Sequence, residues 1–278
     1  MGQTCASGWV KLSAIEQASV ESLENLENLE SDDHHSFEVN LTAREKILEW
    51  KYQVIDHFNM DRKTVALSVK LLDRYLANCK NSNELEQQDA YYTKKGFQLA
   101  AMVTLFIAIK VQEPKKLKIS SLIELSRGYF TVEEFYKAEQ RIIKNLNYRI
   151  NFPLESDYVS RFTVLLGSVD FLSEPSNDLG LHHVMYEYAR YLTELSQIDS
   201  FFLPYSSAKV AFAAFVNAME RGSYRIRQNR KMRTASLDHD TRSKFYEKAG
   251  AEFGLIYNSQ EIVDLRNRLN LLINSTSH

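Results

Sequence analysis

The sequence has 278 residues, a formal net charge of −2 and a hydrophobic content of 44%. A chain of this length can bury one large core or two ordinary ones, and its charge argues against a protein that mainly binds nucleic acid. With only nine glycines and four prolines, it lacks the turn residues of a many-stranded sheet, which favours an all-α fold.

The N-terminal segment, residues 1–41, is acidic, with eight acids and one base, Lys11. It is predicted to be a solvated arm, partly helical or disordered. It contains no basic start followed by an apolar run, so we expect no signal peptide. Two cysteines, Cys5 and Cys79, predict a reducing compartment without disulfides. We therefore expect a location in the nucleus, the cytoplasm or both.

Two amphipathic helices are predicted next, near residues 42–58 and 61–77. Arg44 lies on the apolar stripe of the first helix and Asp73 on that of the second. Charged side chains are seldom fully buried unless they are paired, so these two indicate an ion pair within the chain. The alternative is that each charge lies in water at a helix end.

The most apolar segment, residues 97–109, has two polar side chains, Gln98 and Thr104, and belongs to a helix predicted near 92–111. As a helix, the segment rises only about 20 Å, which is too short to cross a bilayer. We therefore predict a buried central helix and no membrane partner. Lys110 ends its apolar stripe, and a lysine there must reach water or find an acid.

Two more helices complete the first half, near residues 119–126 and 131–147. Glu139 interrupts the apolar stripe of the second of them, as Lys110 does in the central helix. The lysine and the glutamate are therefore a second candidate pair of opposite charges on apolar helix faces.

A break at residues 151–153, which ends in a proline, predicts the domain boundary. The second half has five predicted helices, near residues 155–168, 178–197, 204–219, 240–253 and 259–274. In each half the third helix is the most apolar and is rich in small residues. We predict two tandem five-helix domains, residues 42–152 and 153–278, each packed around its third helix.

The second half also contains a basic stretch, residues 221–233, with six bases and no acid. We predict an exposed loop; the alternative is a patch for nuclear import or an acidic partner. Ser236 follows in the string RTAS, which is similar to a site for basophilic kinases, so Ser236 is a candidate phosphorylation site.

Four strings in the first half together resemble the signature of the cyclin box: LTAREKILEW, LLDRYL, FQLAAMVTLFIAIK and FTVEEFYKAEQRIIKNLNY. The positions that carry the resemblance are Arg44, Asp73, Leu99, Lys110 and Glu139. The resemblance covers residues 40–152 and continues more weakly to the C-terminus. It implies a regulatory subunit that binds and activates a cyclin-dependent serine/threonine protein kinase, in cell-cycle control.

The resemblance also implies roles for particular residues. Lys110 and Glu139 match positions that bind the kinase backbone, whereas Arg44 and Asp73 match a structural pair between the first two helices.

Some cyclins carry a substrate-docking patch, which Ile47, Trp50 and Gln98 match in part. An acid of that patch is Gln53 here, so we expect weak or altered binding of basic-x-leucine motifs. For Trp50, a half-buried structural role is the alternative.

No catalytic or metal-binding pattern is present, because the sequence has no Gly-rich phosphate loop, no Cys-x-x-Cys and no His-x-x-x-His. We therefore expect no enzyme activity, no cofactor and no metal. The alternative function is a kinase-independent scaffold or transcription factor of the same fold, as in transcription factor IIB or the retinoblastoma protein. Direct nucleic-acid binding is not expected, since residues 221–233 offer the one basic stretch.

Overall fold

The computed structural model describes residues 41–80, 85–170, 179–228, 237 and 239–275. The acidic arm up to residue 40, the bases at 230–233 and Ser236 lie outside the described residues. The chain divides into two compact units between Phe152 and Pro153. In the described residues both units contain helices and no strands, so the all-α prediction is confirmed.

The first unit contains six helices in its described part. They are α1 (Leu41–His57), α2 (Lys63–Lys80), α3 (Leu85–Tyr92), α4 (Lys94–Gln112), α5 (Ile119–Leu125) and α6 (Val132–Asn145). Helix α3 is an addition to the five predicted helices. Its eight residues, LEQQDAYY, are too few and too polar to show a helical apolar stripe, so its tertiary contacts with α2 and α4 decide its structure.

Helix α4 is the centre of the first unit, and it packs against α1, α2, α3 and α6. Twelve of its residues are buried. Thr93 caps its N-terminus by accepting a hydrogen bond from the Gly96 N–H at 3.0 Å. The tight start also depends on glycine, because a Cβ at residue 96 would lie 2.3 Å from the Asp89 carbonyl oxygen.

The length estimated from the sequence covered only the thirteen apolar residues 97–109, whereas α4, which contains them, has 19 residues. Within the described part of the chain, α4 is the one helix whose length and composition meet the criteria for a membrane span. The core helix of a soluble protein meets the same criteria, and 67% of the apolar window is buried inside the protein. Burial, rather than length, is therefore the evidence for a core helix.

The second unit contains five α-helices in its described residues and a short 3-10 turn at Ser200–Phe202. The helices are α7 (Glu155–Asp170), α8 (Leu179–Ser196), α9 (Ser207–Gln228), α10 (His239–Phe253) and α11 (Gln260–Ser275). The central helix is α9. The rings of Phe162, Phe212 and Phe245 meet in the core of this unit, with centroids 5.6 to 6.3 Å apart.

The prediction of a loop over residues 221–233 was wrong for its first part, because α9 continues through Gln228. The single glycine in this part, Gly222, costs a helix only about 1 kcal/mol relative to alanine, and no proline interrupts it. The remainder of the basic stretch, from residue 229, lies outside the described residues.

Candidate functional site

The first predicted pair of charges joins α1 to α2. Arg44 Nε donates to Asp73 Oδ1 at 3.0 Å and Arg44 Nη2 donates to Asp73 Oδ2 at 2.8 Å. Both side chains are largely buried. This two-bond geometry is the strong form of an arginine–carboxylate contact, and it lies inside the helix packing, where it suits a structural role.

Lys51 on α1 is a buried charged residue that was not among the candidates predicted from the sequence. Its side chain is fully buried, and its ammonium donates to Thr104 Oγ1 on α4 at 3.3 Å. Burial lowers the pKa of Lys51 to about 7, although the nearby Asp73 carboxylate opposes this change. Lys51 lies four residues after Ile47 and four before Ile55. This spacing marks a single helix face, so the sequence did contain a signal that Lys51 is on the apolar face of α1.

The second predicted pair joins the C-terminal end of α4 to the middle of α6. The Lys110 ammonium donates to Glu139 Oε1 and lies 4.6 Å from the centre of the Phe106 ring. The Lys110 side chain is 39% exposed and that of Glu139 is 10% exposed. The pair therefore lies at the surface, with the lysine open to water and the carboxylate partly covered.

Apolar side chains flank this pair on the exposed side of α6. Val132, Tyr136, Glu139 and Ile143 follow one another at spacings of four, three and four, and so lie on one face of the helix. Val132 and Tyr136 are exposed. We call the three apolar residues, Val132, Tyr136 and Ile143, the α6 face. Exposed apolar residues beside a charged pair are typical of a protein-binding surface.

Tyr148 follows the end of α6 and is 71% exposed. Its φ angle is +60°, and that of Asn147 is +51°. A bulky residue in the left-handed region is uncommon, and such positions occur more often at functional sites. Tyr148 was not among the residues predicted from the sequence, because no local pattern predicts its backbone conformation.

A second lysine–glutamate pair joins the same two helices at the other end. Lys95 Nζ and Glu134 Oε1 are 2.9 Å apart, and both side chains are more exposed than Glu139. The Lys95 hydrogen bond lowers the pKa of Glu134 to about 2, with help from the Thr131 backbone N–H. This pair has the same residue types as the Lys110–Glu139 pair and joins the same two helices, so it can serve as a control in binding experiments.

The three residues of the candidate substrate patch do not form an exposed surface. Ile47, Trp50 and Gln98 are all buried, and Trp50 is fully rather than half buried. The Trp50 Nε1 has no hydrogen-bond partner among the described residues. Their role in substrate docking stays a prediction, and their burial favours the structural alternative for Trp50.

The described residues contain no group of three or more His, Cys, Asp or Glu side chains placed to hold a metal ion. The expectations of no metal, no cofactor and no enzyme activity remain expectations.

Residues 13–151 match the family model described as "Cyclin, N-terminal domain", which covers half of the chain. The chain belongs to the cyclin family. The match includes both candidate pairs of charges in the first unit, so the family resemblance in the sequence is confirmed.

Similar curated proteins are mitotic cyclins. The chain is 27% identical over 186 residues to the G2/mitotic-specific cyclin-B3 of Caenorhabditis elegans, which covers 67% of this chain and 42% of that protein. It is 25% identical over 183 residues to the G2/mitotic-specific cyclin cig1 of Schizosaccharomyces pombe, covering 66% of this chain and 38% of that protein. The matched regions thus span about two fifths of these relatives' length.

Solved structures support the fold. A viral cyclin from herpesvirus saimiri has a TM-score of 0.51 and 18% identity, covering 84% of this chain and 88% of that one. The CAK complex of Chaetomium thermophilum bound to ATP-gamma-S contains a chain with a TM-score of 0.50 and 13% identity, covering 97% of this chain and 84% of that one. At these identities the likeness concerns the fold alone.

Proposed function

We propose that this cyclin is a non-catalytic subunit that binds and activates a cyclin-dependent serine/threonine protein kinase in control of cell division. The observation that carries the proposal is the surface pair of Lys110 and Glu139 beside the α6 face. The names of the curated relatives support a mitotic role, and the CAK complex among the structural neighbours supports a kinase partner.

The pair is suited to binding a polypeptide backbone. Lys110 has three ammonium donors, of which Glu139 uses one, so the lysine can donate to a carbonyl of the partner while the carboxylate accepts from an amide. Charge-assisted hydrogen bonds of this kind are stronger than neutral ones. Full burial of the Val132 side chain against the partner would add roughly 1.5–3 kcal/mol of binding free energy, and burial of the Tyr136 ring would add a comparable amount.

Activation follows from selective binding. A kinase exchanges between inactive and active arrangements, and a subunit that binds the active arrangement more tightly increases its population. In protein kinases the active arrangement needs a lysine–glutamate pair within the kinase itself. The proposed role of the α6 face is to hold the kinase element that carries this glutamate, and it requires no catalytic group on the cyclin.

The test compares two double variants in binding to a panel of purified cyclin-dependent kinases and in kinase activity. Lys110→Ala with Glu139→Ala removes the proposed docking pair. Lys95→Ala with Glu134→Gln removes the matched ion pair, while the amide oxygen can still accept the hydrogen bond from the Thr131 N–H that caps α6. Each truncated partner of an interface charge pair costs about 2–5 kcal/mol. We expect the first variant to lose roughly a hundredfold or more in affinity, while the control binds and activates like the wild type.

Circular dichroism and thermal unfolding confirm that each variant is folded before binding is measured. Wild-type affinity of the Lys110 and Glu139 variant would show that the pair is not the docking site. Failure of the unmodified chain to bind any kinase of the panel would favour a kinase-independent scaffold or transcription factor.

Location and substrate recruitment are further parts of the proposal. We propose a nuclear or cytoplasmic location, which imaging of a fluorescent fusion tests. Recruitment of substrates through Ile47, Trp50 and Gln98 requires these buried side chains to become accessible, so their substitution is expected to affect folding before it affects substrate choice.

A further inference from the structure

Lys51 is the one lysine among the fully buried large side chains of the described residues. It lies on α1, which packs against α2 and α4. Lysine is rarely buried completely, because its ammonium loses the hydration that stabilises its charge. A buried lysine without a dedicated carboxylate therefore demands a physical explanation.

The polar surroundings of Lys51 are poor for a charged group. Within the described part of the chain, its ammonium has one hydrogen-bond partner, Thr104 Oγ1 at 3.3 Å. That hydroxyl donates its own hydrogen to the Ala101 carbonyl at 3.0 Å, so its lone pairs remain for Lys51. A single neutral acceptor satisfies a neutral amine better than an ammonium with three donors.

The charged groups that act on Lys51 come from α1 and α2. Asp73 of α2 attracts its positive charge and Arg44 of α1 repels it, but both acid oxygens already accept hydrogen bonds from the arginine. Helix α4 contributes no ionisable side chain between Lys95 and Lys110. The Asp73 carboxylate is therefore committed to Arg44, and its attraction only partly offsets the burial of Lys51.

We propose that Lys51 makes the first unit sensitive to pH: as a neutral amine it is accommodated between α1 and α4, and as an ammonium it weakens their packing. The pKa of about 7 produced by burial supports this inference from the geometry. This pKa places the change in the charge of Lys51 close to neutral pH. The proposal concerns the stability of the fold and is independent of the proposed kinase partner.

The direction of the pH dependence follows from the two states. In the unfolded chain Lys51 has its ordinary pKa of 10.5, whereas in the folded chain the pKa is about 7. Between these values the unfolded state binds more protons, so raising the pH stabilises the folded state relative to a variant without the amine. Below pH 7 both states are protonated, and the cost of the buried charge is constant.

The experiment measures urea unfolding of the full chain between pH 5 and 9.5 for the wild type, Lys51→Met and Lys116→Met. Methionine keeps the length of the side chain without its charge, and Lys116 lies on the exposed loop after α4, which makes it the matched control. The wild-type unfolding constant, divided by that of Lys51→Met, is expected to fall roughly seventyfold from pH 7.5 to 9.5. Between pH 5 and 6 this ratio should change less than about twofold.

The same ratio for Lys116→Met should remain flat across the range. Parallel curves for the wild type and Lys51→Met would overturn the proposal. A second measurement on the wild-type protein does not depend on the folding of any variant: the ¹³Cε chemical shifts of labelled lysines followed with pH. One lysine signal with a midpoint near pH 7 is expected, and titration of every lysine above pH 9.5 would contradict the proposal.

Discussion

Arg44 and Asp73 connect α1 to α2 through two hydrogen bonds although 29 residues separate them in the chain. Removal of one partner leaves the other charge partly buried without compensation. We therefore expect Asp73→Ala to lower the free energy of unfolding by about 3 kcal/mol. Urea unfolding at pH 7 provides the measurement.

The matched control for this prediction is Asp56→Ala. Asp56 pairs with Arg62 at 3.0 Å, but both side chains are about half exposed, and exposed pairs contribute about 1 kcal/mol or less. Equal effects of the two substitutions would show that the Arg44–Asp73 pair behaves as a surface pair.

Gly96 of α4 is expected to tolerate no side chain. Replacement of glycine by alanine inside a helix normally stabilises it by about 1 kcal/mol. At residue 96 the added Cβ would lie 2.3 Å from the Asp89 carbonyl oxygen, so α3 would have to move. Gly96→Ala should therefore lower the melting temperature of the full chain.

Gly167 of α7 is the control for Gly96, because a Cβ at this position meets no described atom within 4 Å. Gly167→Ala should raise the stability of the second unit, in line with helix propensity. A stabilising effect of Gly96→Ala would show that α3 does not approach α4 as closely as described.

Glu134 should contribute to resistance against acid. Its pKa is lowered from 4.5 to about 2, first by Lys95 and then by the Thr131 backbone N–H. A carboxylate with a lowered pKa stabilises the folded state above its unfolded pKa, and this contribution is lost as the pH falls from 4.5 through 2. The stability difference between the wild type and Glu134→Gln should therefore shrink over this range.

Urea unfolding at pH values between 2 and 7 measures this difference, with Glu124→Gln as a charge-matched control on the exposed surface of α5. A difference between wild type and Glu134→Gln that does not change with pH would contradict the prediction.

Asn217 stabilises the contact between α9 and α11 in the second unit. Its Nδ2 donates to the Arg266 carbonyl at 3.0 Å, and its Oδ1 accepts from Arg266 Nε at 3.0 Å. We expect Asn217→Ala to cost about 2 kcal/mol, since a buried group loses its partner. Asn267→Ala, at an exposed position on α11, should change the free energy of unfolding by less than about 0.5 kcal/mol.

The sequence by itself determined the helical fold class and two pairs of candidate charges. Helical periodicity is local, so the faces that carry Arg44, Asp73, Lys110 and Glu139 follow from residues within a few turns of each. Because an apolar stripe must be buried against a neighbouring helix, charges that interrupt such stripes become candidates for pairing before the partner helix is placed.

Only the tertiary structure decided which side chains are enclosed and which are exposed. Lys51 is enclosed between α1 and α4, and the residue of α4 that it contacts, Thr104, lies 53 positions away in the chain. Helix α3 is likewise set by its packing on α2 and α4. Burial depends on distant segments that approach only in the folded state, so local patterns predict the face of a helix but not what covers it.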